Sequence, residues 1–466
     1  MPERPNILIL LTDQQRFDAL GAAGNEEIHT PNLDALAGEG ARCDRFFVQA
    51  PVCMPSRMSM LSGLYPSTLG IVENGPAMPE TVPNLATRFA SAGYRTANIG
   101  KLHFLPHSRR DHTRPHPCYG FDHMEISDEP GCYADAYRAW VAREAPDQLP
   151  HISLGLPGEA AAWQKTTGGD GIDHPPRDER RPRRFAGRSD VTHSAFVAER
   201  TLSYLHRAAR SPEPFCCVAG FYSPHSPWVA PGEFFDLYDP DRLSLPDLPP
   251  ELDERRAEAG LSDDYLRAVK QAYYAMVSEV DHHCGRLLNA LGDLGLAEET
   301  IVVFTSDHGE WLGDNLRFAK GMPAHDCVSR VPMLLRYPAG GVRGGAVVEA
   351  ITEAVDLLPT LLSWAGLPVD ASLQGRPLPL GPTAGCEPRR SALTEARGQK
   401  LLRTDRFRYL LRAGGREQLN DLQAPYGTYR DVSAQPAYAG HLCDCRAELA
   451  RRLLERERYR PFSARY

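Results

Sequence analysis

Four short apolar segments of the 466-residue chain are each followed by polar side chains suited to chemistry. They are followed, in chain order, by Asp13 and Gln14, by Lys101 and His103, by His225, and by Asp307 and His308. Carboxylates, an imidazole and an amide oxygen (Asp13, Asp307, His308, Gln14) are ligand types for a divalent cation. Arg57 and Lys320 add positive charge to that of Lys101. A cation site among further positive charges predicts an anionic substrate, such as a sulfate or phosphate ester.

The apolar segments have the composition of buried strands, and helical patterns alternate with them. The predicted strands cover 6–11, 96–100, 215–222 and 301–306, and the predicted helices include 83–94, 193–209 and 262–295. This alternation predicts an α/β fold, in which helices sandwich a large, mostly parallel sheet. Because ligands of such sheets bind at the carboxyl ends of the strands, the polar residues there predict one shared site.

The remaining regions differ in composition. Residues 105–190 are rich in Pro, His, Gly and Arg with little periodicity, which predicts long loops. We interpret the histidines of this region as a roof over the pocket rather than as metal ligands: His107, His112, His116 and His123. Residues 400–412 predict a small antiparallel sheet, and 446–459 a terminal helix. The predicted organisation is a catalytic domain over 1–385 and a smaller α+β subdomain over 386–466.

Composition narrows the function classes. The net charge is −8, which argues against a nucleic-acid partner. The N-terminus MPERPNILILL lacks the features of a signal peptide, and its apolar run is too short to span a membrane. With 11 irregularly spaced cysteines, this predicts a cytoplasmic protein with reduced thiols and no membrane partner. We interpret the basic stretch 177–188 as a solvated loop or a subunit contact, and a homo-oligomer is a hypothesis.

One cysteine stands at the predicted start of a helix, in APVCMPSRMSMLSG (residues 50–63). The N-terminus of a helix offers free N–H groups and positive charge to an anion. Arg57 follows Cys53 by about one turn and can reach back to it. From these residues alone, Cys53 is either a low-pKa thiolate nucleophile or a buried structural cysteine.

Cys53-Met54-Pro55-Ser56-Arg57 resembles the C-x-P-S-R motif of the type I sulfatases, a family of the alkaline phosphatase-like superfamily. TPNLDALAGEGARCDRFF, LSGLYPS, GKLHF and FTSDHGEWLGD also resemble segments of that family, so the similarity runs from residue 5 to about 365. It implies that a formylglycine-generating enzyme, which reads C-x-P-x-R in the unfolded chain, oxidises Cys53 to formylglycine. One hydroxyl of the aldehyde hydrate then attacks sulfur, and the second expels sulfate from the covalent hemiacetal.

The resemblance also implies a role for each residue at a matching position. It implies that the metal ligands are Asp13, modified Cys53, Asp307 and His308. It implies that Arg57 and Lys101 hold the hydrate and that His103 is the base for sulfate expulsion. It also implies that His225 and Lys320 bind sulfate and protonate the leaving oxygen, and that Asn74 contacts the substrate.

The chain departs from many sulfatases at Gln14 and His308, where they carry Asp and Asn. The same variations occur in choline sulfatases and phosphonate monoester hydrolases, and an imidazole ligand favours Mn²⁺ over Ca²⁺. Lys101 and His103, which the phosphonate hydrolases lack, favour sulfate esters. The predicted function is therefore arylsulfatase-type hydrolysis of small-molecule sulfate monoesters. The alternative is a phosphonate monoester or phosphodiester hydrolase, with promiscuity between the two. A non-catalytic anion-binding protein and a plain thiol enzyme are two further hypotheses.

Overall fold

The computed structural model describes residues 4–107, 115–167 and 171–457. The strands in these ranges are β1 (Asn6–Thr12), β2 (Ala41–Phe47), β3 (Arg95–Gly100), β4 (His123–Ile126), β5 (Arg183–Arg184), β6 (Phe215–Gly220), β7 (Val229–Ala230), β8 (Thr300–Ser306), β9 (Met333–Arg336), β10 (Ala346–Glu353), β11 (Ala392–Ala396), β12 (Gln399–Arg403), β13 (Phe407–Arg412) and β14 (Glu417–Asp421).

The large sheet has the strand order β10-β2-β9-β8-β1-β6-β3-β4 among the described residues. Strand β9 runs antiparallel to β2 and β8. The other neighbouring strands of this sheet are parallel. The short strands β5 and β7 pair separately. The predicted α/β fold with a mostly parallel sheet is confirmed, and all four predicted strands lie side by side at its centre, as β8, β1, β6 and β3.

The helices in the described ranges are α1 (Pro31–Glu39), α2 (Cys53–Ser62), α3 (Pro66–Leu69), α4 (Leu85–Ser91), α5 (Ala136–Glu144), α6 (Gly158–Thr167), α7 (His193–Ala208), α8 (Gly232–Phe235), α9 (Asp253–Glu258), α10 (Asp263–Asp293), α11 (Asp326–Ser329), α12 (Leu357–Trp364) and α13 (Ala439–Leu454). The predicted helices over 83–94, 193–209 and 262–295 correspond to α4, α7 and α10.

Two apolar cores cover the two faces of the sheet. Alternate side chains of β1 divide between them: Ile7 and Ile9 enter one core, and Leu8 and Leu10 enter the other. Helices α2, α4 and α12 contribute to the first core. Helices α1, α5, α7 and α10 contribute to the second. Burial on both faces explains why the central strands are continuous apolar runs, since neither face meets water.

The prediction of long loops over 105–190 is wrong for part of that region. Strand β4 forms an edge of the large sheet, and helices α5 and α6 follow it. In α5, the buried residues Tyr137, Trp140 and Val141 have helical spacing, and Asp135 caps the helix by accepting from Arg138 N at 3.1 Å. This pattern was present in the sequence, but the surrounding Pro-rich and Gly-rich segments concealed it.

The C-terminal part contains the antiparallel sheet β11-β12-β13-β14 and helix α13, which confirms the predicted small sheet and helix. Helix α13 begins at Ala439 rather than Arg446. Of the predicted helix over 446–459, positions 458–459 lie outside the described residues. Arg452 of α13 forms a buried ion pair with Glu353 at 2.8 Å, which joins this part to the large sheet. The boundary at residue 385 stays a prediction.

Two findings concern the helices and the cysteines. None of the helices in the described ranges combines the length and apolar character that crossing a bilayer requires. All 11 cysteines are free thiols, and Cys216 and Cys217 are fully buried in the strand β6. They act there as small apolar side chains on the two faces of the sheet.

Candidate active site

The carboxyl ends of four neighbouring strands meet at one site. Asp13 and Gln14 follow β1, Asp307 and His308 follow β8, Lys101 and His103 follow β3, and His225 lies beyond β6. All of these side chains except His225 are at most 4% exposed. Parallel strands end at the same edge of the sheet, so residues far apart in sequence converge there.

Helix α2 brings Cys53 to this edge. Cys53 is the first residue of α2, and every side chain from Cys53 to Ser62 is buried. Gly63 ends the helix in a left-handed conformation, with φ of 68°. Asn74 supports the start of the helix, because its Oδ1 accepts a hydrogen bond from Met54 N at 3.1 Å.

Asp13, Cys53, Asp307 and His308 form a compact cluster, in which one potential ligand atom from each lies within 4.8 Å of the others. His308 Nε2 lies 3.2 Å from Cys53 Sγ and 3.7 Å from an Oδ1 atom of each aspartate. His308 Nδ1 lies 2.9 Å from the carbonyl oxygen of Gly309. When Nδ1 donates to that oxygen, the lone pair of Nε2 faces the cluster, as in metal-binding histidines.

The two aspartates divide their oxygens between the cluster and the cations behind it. Asp13 Oδ2 lies 2.9 Å from Lys101 Nζ, and Asp307 Oδ2 lies 2.6 Å from Arg57 Nε. The Oδ1 atoms are the ones that approach His308. Burial raises the pKa of Asp13, but the positive charges of Lys101, Lys320 and Arg57 outweigh it, so the pKa lies well below its ordinary value.

These features fit a divalent cation. The cluster offers carboxylate oxygens, an imidazole nitrogen and the residue at position 53, and burial lowers the pKa of His308 and so favours its neutral, ligating form. Gln14 Oε1 is also buried and has no hydrogen-bond partner among the described residues. A buried amide oxygen without a donor is available to a cation.

Lys320 contacts both Cys53 and His225. Lys320 Nζ lies 2.7 Å from Cys53 Sγ and 2.7 Å from His225 Nε2. Burial lowers the pKa of Lys320, but the interaction with Cys53 and the negative charge of Asp13 outweigh it, and the pKa rises. Burial and then Lys320 lower the pKa of His225 well below its ordinary value. The pair therefore consists of a charged ammonium group and a neutral imidazole that accepts from it.

Cys53 itself does not have the properties of a thiolate nucleophile. Burial, and next the charge of Asp13, raise the pKa of its thiol to about 12, although Lys320 acts in the opposite direction. A thiol with this pKa is protonated at neutral pH. This pKa argues against a plain thiol enzyme.

His103 has a left-handed backbone, with φ of 56°, and its N–H donates to Asp128 Oδ1 at 2.8 Å. Burial, and next His107, lower the pKa of His103 well below its ordinary value. Its Nδ1 is buried without a hydrogen-bond partner among the described residues. The imidazole is therefore neutral and able to accept a proton.

A cavity of about 320 Å³ opens above the cluster. The candidate residues that line it are Cys53, Asn74, His103, His225 and Lys320, together with Gln14. Asp13, Arg57, Lys101, Asp307 and His308 do not line it. Of these, Asp13 and His308 approach Cys53 Sγ, and Asp307 accepts a hydrogen bond from Gln14 N. His107 lines the cavity as predicted, His116 and His123 do not, and His112 lies outside the described residues.

The lining also includes charged residues that sequence reasoning missed, among them Glu129 and Arg177. Their side chains meet at 3.1 Å, and Arg177 also donates to Tyr222 OH at 3.0 Å. The interpretation of 177–188 as a solvated loop or subunit contact is wrong for Arg177, whose side chain is 6% exposed. Glu129 lies beyond the carboxyl end of β4, as the other site residues lie beyond their strands. A prediction that included β4 would therefore have indicated Glu129.

Comparison with known proteins agrees with this architecture. A sequence model of the sulfatase family matches residues 5–367. An ulvan-active sulfatase of Formosa agariphila is 33% identical over 384 residues, which cover 81% of this chain and 65% of that protein. An arylsulfatase of Clostridium perfringens is 30% identical over 399 residues, which cover 80% of this chain and 77% of that protein.

Among solved structures, a phosphonate monoester hydrolase of Agrobacterium radiobacter superposes with a TM-score of 0.80 at 25% identity, covering 97% of this chain and 96% of that one. The chain belongs to the sulfatase family. The resemblance drawn from the C-x-P-S-R motif is thereby confirmed. The prediction of a sulfuric ester hydrolase is confirmed at the level of this family.

Proposed function

We propose that the protein hydrolyses small-molecule sulfate monoesters, with formylglycine at position 53 and one divalent cation, Mn²⁺ or Ca²⁺. The observation that carries the proposal is the cluster of Asp13, Cys53, Asp307 and His308 at the start of a buried helix, with Lys101, Arg57 and Lys320 around it. These four residues would hold the cation. When bound, the cation supplies Lewis-acid chemistry and formylglycine supplies a hydrated aldehyde as nucleophile.

The surrounding cations bind and orient the substrate. Arg57 and Lys101 are held by the aspartates behind the cluster and contribute positive charge to the floor of the cavity. Lys320 contacts position 53 directly and contributes a charged N–H donor. Donors fixed before the substrate arrives stabilise negative charge that develops on sulfate oxygens, without reorganisation during the reaction.

Proton transfer falls to Lys320, His225 and His103. Because His225 Nε2 accepts from Lys320, Lys320 Nζ holds the proton for the leaving oxygen, and His225 orients it. His103 is neutral and accepts the proton that must be removed when sulfate is released. Asn74 supports the start of α2 and lines the cavity, where it contacts the substrate.

Hydrolysis of phosphonate monoesters or phosphodiesters at the same site is the second candidate. Support comes from the similarity to the Agrobacterium radiobacter phosphonate monoester hydrolase, which extends over nearly the whole chain. Lys101 and His103 favour sulfate as the main substrate, with low activity towards the second class. His308 and the Gln14 amide favour Mn²⁺ over Ca²⁺, because imidazole suits Mn²⁺ better.

Maturation requires a formylglycine-generating enzyme that acts before folding. Cys53 is 1% exposed and its helix is entirely buried, so the folded protein offers no access to the motif. We retain the domain division at residue 385, the cytoplasmic location and the homo-oligomer as predictions.

The test is the mass of the tryptic peptide FFVQAPVCMPSR, from protein produced with and without a formylglycine-generating enzyme. We expect aldehyde in place of thiol, and turnover of an aryl sulfate that rises with the aldehyde fraction. The same preparations should hydrolyse an aryl phosphonate ester more slowly. Full activity with a thiol at position 53 would refute the formylglycine mechanism. Faster turnover of the aryl phosphonate than of the aryl sulfate would favour the second candidate.

A further inference from the structure

The side-chain amide of Gln14 is held in one orientation by a buried carboxylate. Gln14 Nε2 donates to Glu310 Oε2, and both side chains are 0% exposed. The other oxygen, Glu310 Oε1, accepts a hydrogen bond from Leu312 N at 3.1 Å. When Glu310 is ionised, both of its carboxylate oxygens act as acceptors, and only the NH₂ group of Gln14 can then face it.

The carbonyl oxygen of the amide is then directed away from Glu310. It is buried and has no hydrogen-bond partner in the part of the chain that the structure describes. An unsatisfied buried amide oxygen is destabilising, so such an atom implies a partner that binds it. Gln14 lines the same cavity as Cys53, and amide oxygens are suitable ligands for Mn²⁺ and Ca²⁺.

The backbone of Gln14 is fixed independently of its side chain. Gln14 N donates to Asp307 Oδ1 at 3.1 Å, and Gln14 O accepts from Tyr273 OH at 2.7 Å. Changing Glu310 therefore releases the amide while the backbone stays held, which makes the orientation of the side chain separately testable.

We propose that Glu310 is a positioning residue, which turns the Gln14 carbonyl oxygen towards the Asp13, Cys53, Asp307 and His308 cluster as a further ligand of the cation. The inference rests on the proposed metal site and not on sulfate turnover. Partners behind a ligand commonly change metal affinity by about 10- to 100-fold when they are replaced.

The test is the dissociation constant of Mn²⁺, measured by calorimetry against a competing chelator on matured protein without substrate. We expect Glu310→Gln and Gln14→Ala each to weaken binding by about 10- to 100-fold. The double variant should bind no more weakly than Gln14→Ala alone, because Glu310 acts through Gln14. Glu279→Gln is the matched control: Glu279 is equally buried but contacts Thr192 instead, so its replacement should leave the affinity within about twofold of wild type.

Thermal unfolding establishes that each variant is folded. If Glu310→Gln is not folded, Glu310→Asp replaces it, because this variant keeps the carboxylate and only shortens the side chain. A Glu310 variant that binds Mn²⁺ as tightly as wild type overturns the proposal, as do additive losses in the double variant or a wild-type protein that binds no Mn²⁺. Normal Mn²⁺ binding without aryl sulfate turnover would instead refute the proposed function and leave the role of Glu310 intact.

Discussion

Replacing Lys320 by Met tests the proton and charge roles at the cavity floor. The change keeps an unbranched side chain one atom shorter than lysine and removes an ammonium group that lies 2.7 Å from Cys53 Sγ. Loss of one fixed donor to developing negative charge typically lowers kcat by about 10²- to 10³-fold, or about 3–4 kcal/mol. We expect a loss in that range for 4-nitrophenyl sulfate, whose acidic leaving group needs little protonation.

Proton donation should add to this loss when the leaving group is less acidic. A general acid commonly contributes about 10²- to 10⁴-fold, so Lys320→Met should impair phenyl sulfate hydrolysis more than 4-nitrophenyl sulfate hydrolysis. The assay is kcat/KM for both esters, with metal content measured in parallel. Lys270→Met is the control, because Lys270 pairs with Glu27 outside the active-site cavity. Equal losses for both esters would refute proton donation by Lys320, and a loss below about tenfold would refute both roles.

Two further predictions concern stability. Arg452→Met should lower the free energy of unfolding in urea by about 3 kcal/mol, because it removes one partner of the buried Glu353 carboxylate. The control is Arg451→Met, which should cost less than about 1 kcal/mol, because Arg451 pairs with Glu448 and Glu455 on the helix surface. Equal losses for the two variants would contradict this reasoning. Burial lowers the pKa of His193 to about 4, so the unfolded chain binds a proton at this residue at higher pH than the folded chain does. The free energy of unfolding should therefore fall by about 3 kcal/mol as the pH drops from 6.5 to 4. Urea unfolding at both pH values should show a smaller loss of stability for His193→Gln, and an unchanged loss would assign the effect to other groups.

The centre of the sheet was predictable because its strands are buried on both faces. Strands β1, β3, β6 and β8 are continuous apolar runs, and the rule that ligands bind at their carboxyl ends led directly to Asp13, Lys101, His225 and Asp307. Cys53 needed a different signal. Its helix pattern left a thiolate nucleophile and a buried cysteine as alternatives, and only the C-x-P-S-R motif indicated an oxidised residue.

The residues missed by sequence reasoning lie at an edge of the sheet or reach in from a loop. Strand β4 is the four-residue segment HMEI, and three of its residues are only partly buried, so no apolar run marks it. Without that strand, Glu129 had no predicted place. Arg177 belongs to a stretch with several arginines, and local sequence does not show which one turns inward. Its burial depends on Glu129 and Tyr222, which are distant in sequence.

Under the proposed function, Arg57 meets two separate requirements, one before folding and one after it. In the unfolded chain it is the last fixed position of the C-x-P-S-R motif. In the folded protein it pairs with Asp307 at 2.6 Å and with Asp13 at 3.4 Å, with all three side chains fully buried. Breaking such a pair leaves a buried carboxylate uncompensated, which typically costs about 3–5 kcal/mol. Loss of activity in an Arg57 variant would therefore combine failed oxidation of Cys53 with a disturbed cluster. Activity divided by the measured formylglycine fraction separates the two, since only the second effect survives that correction.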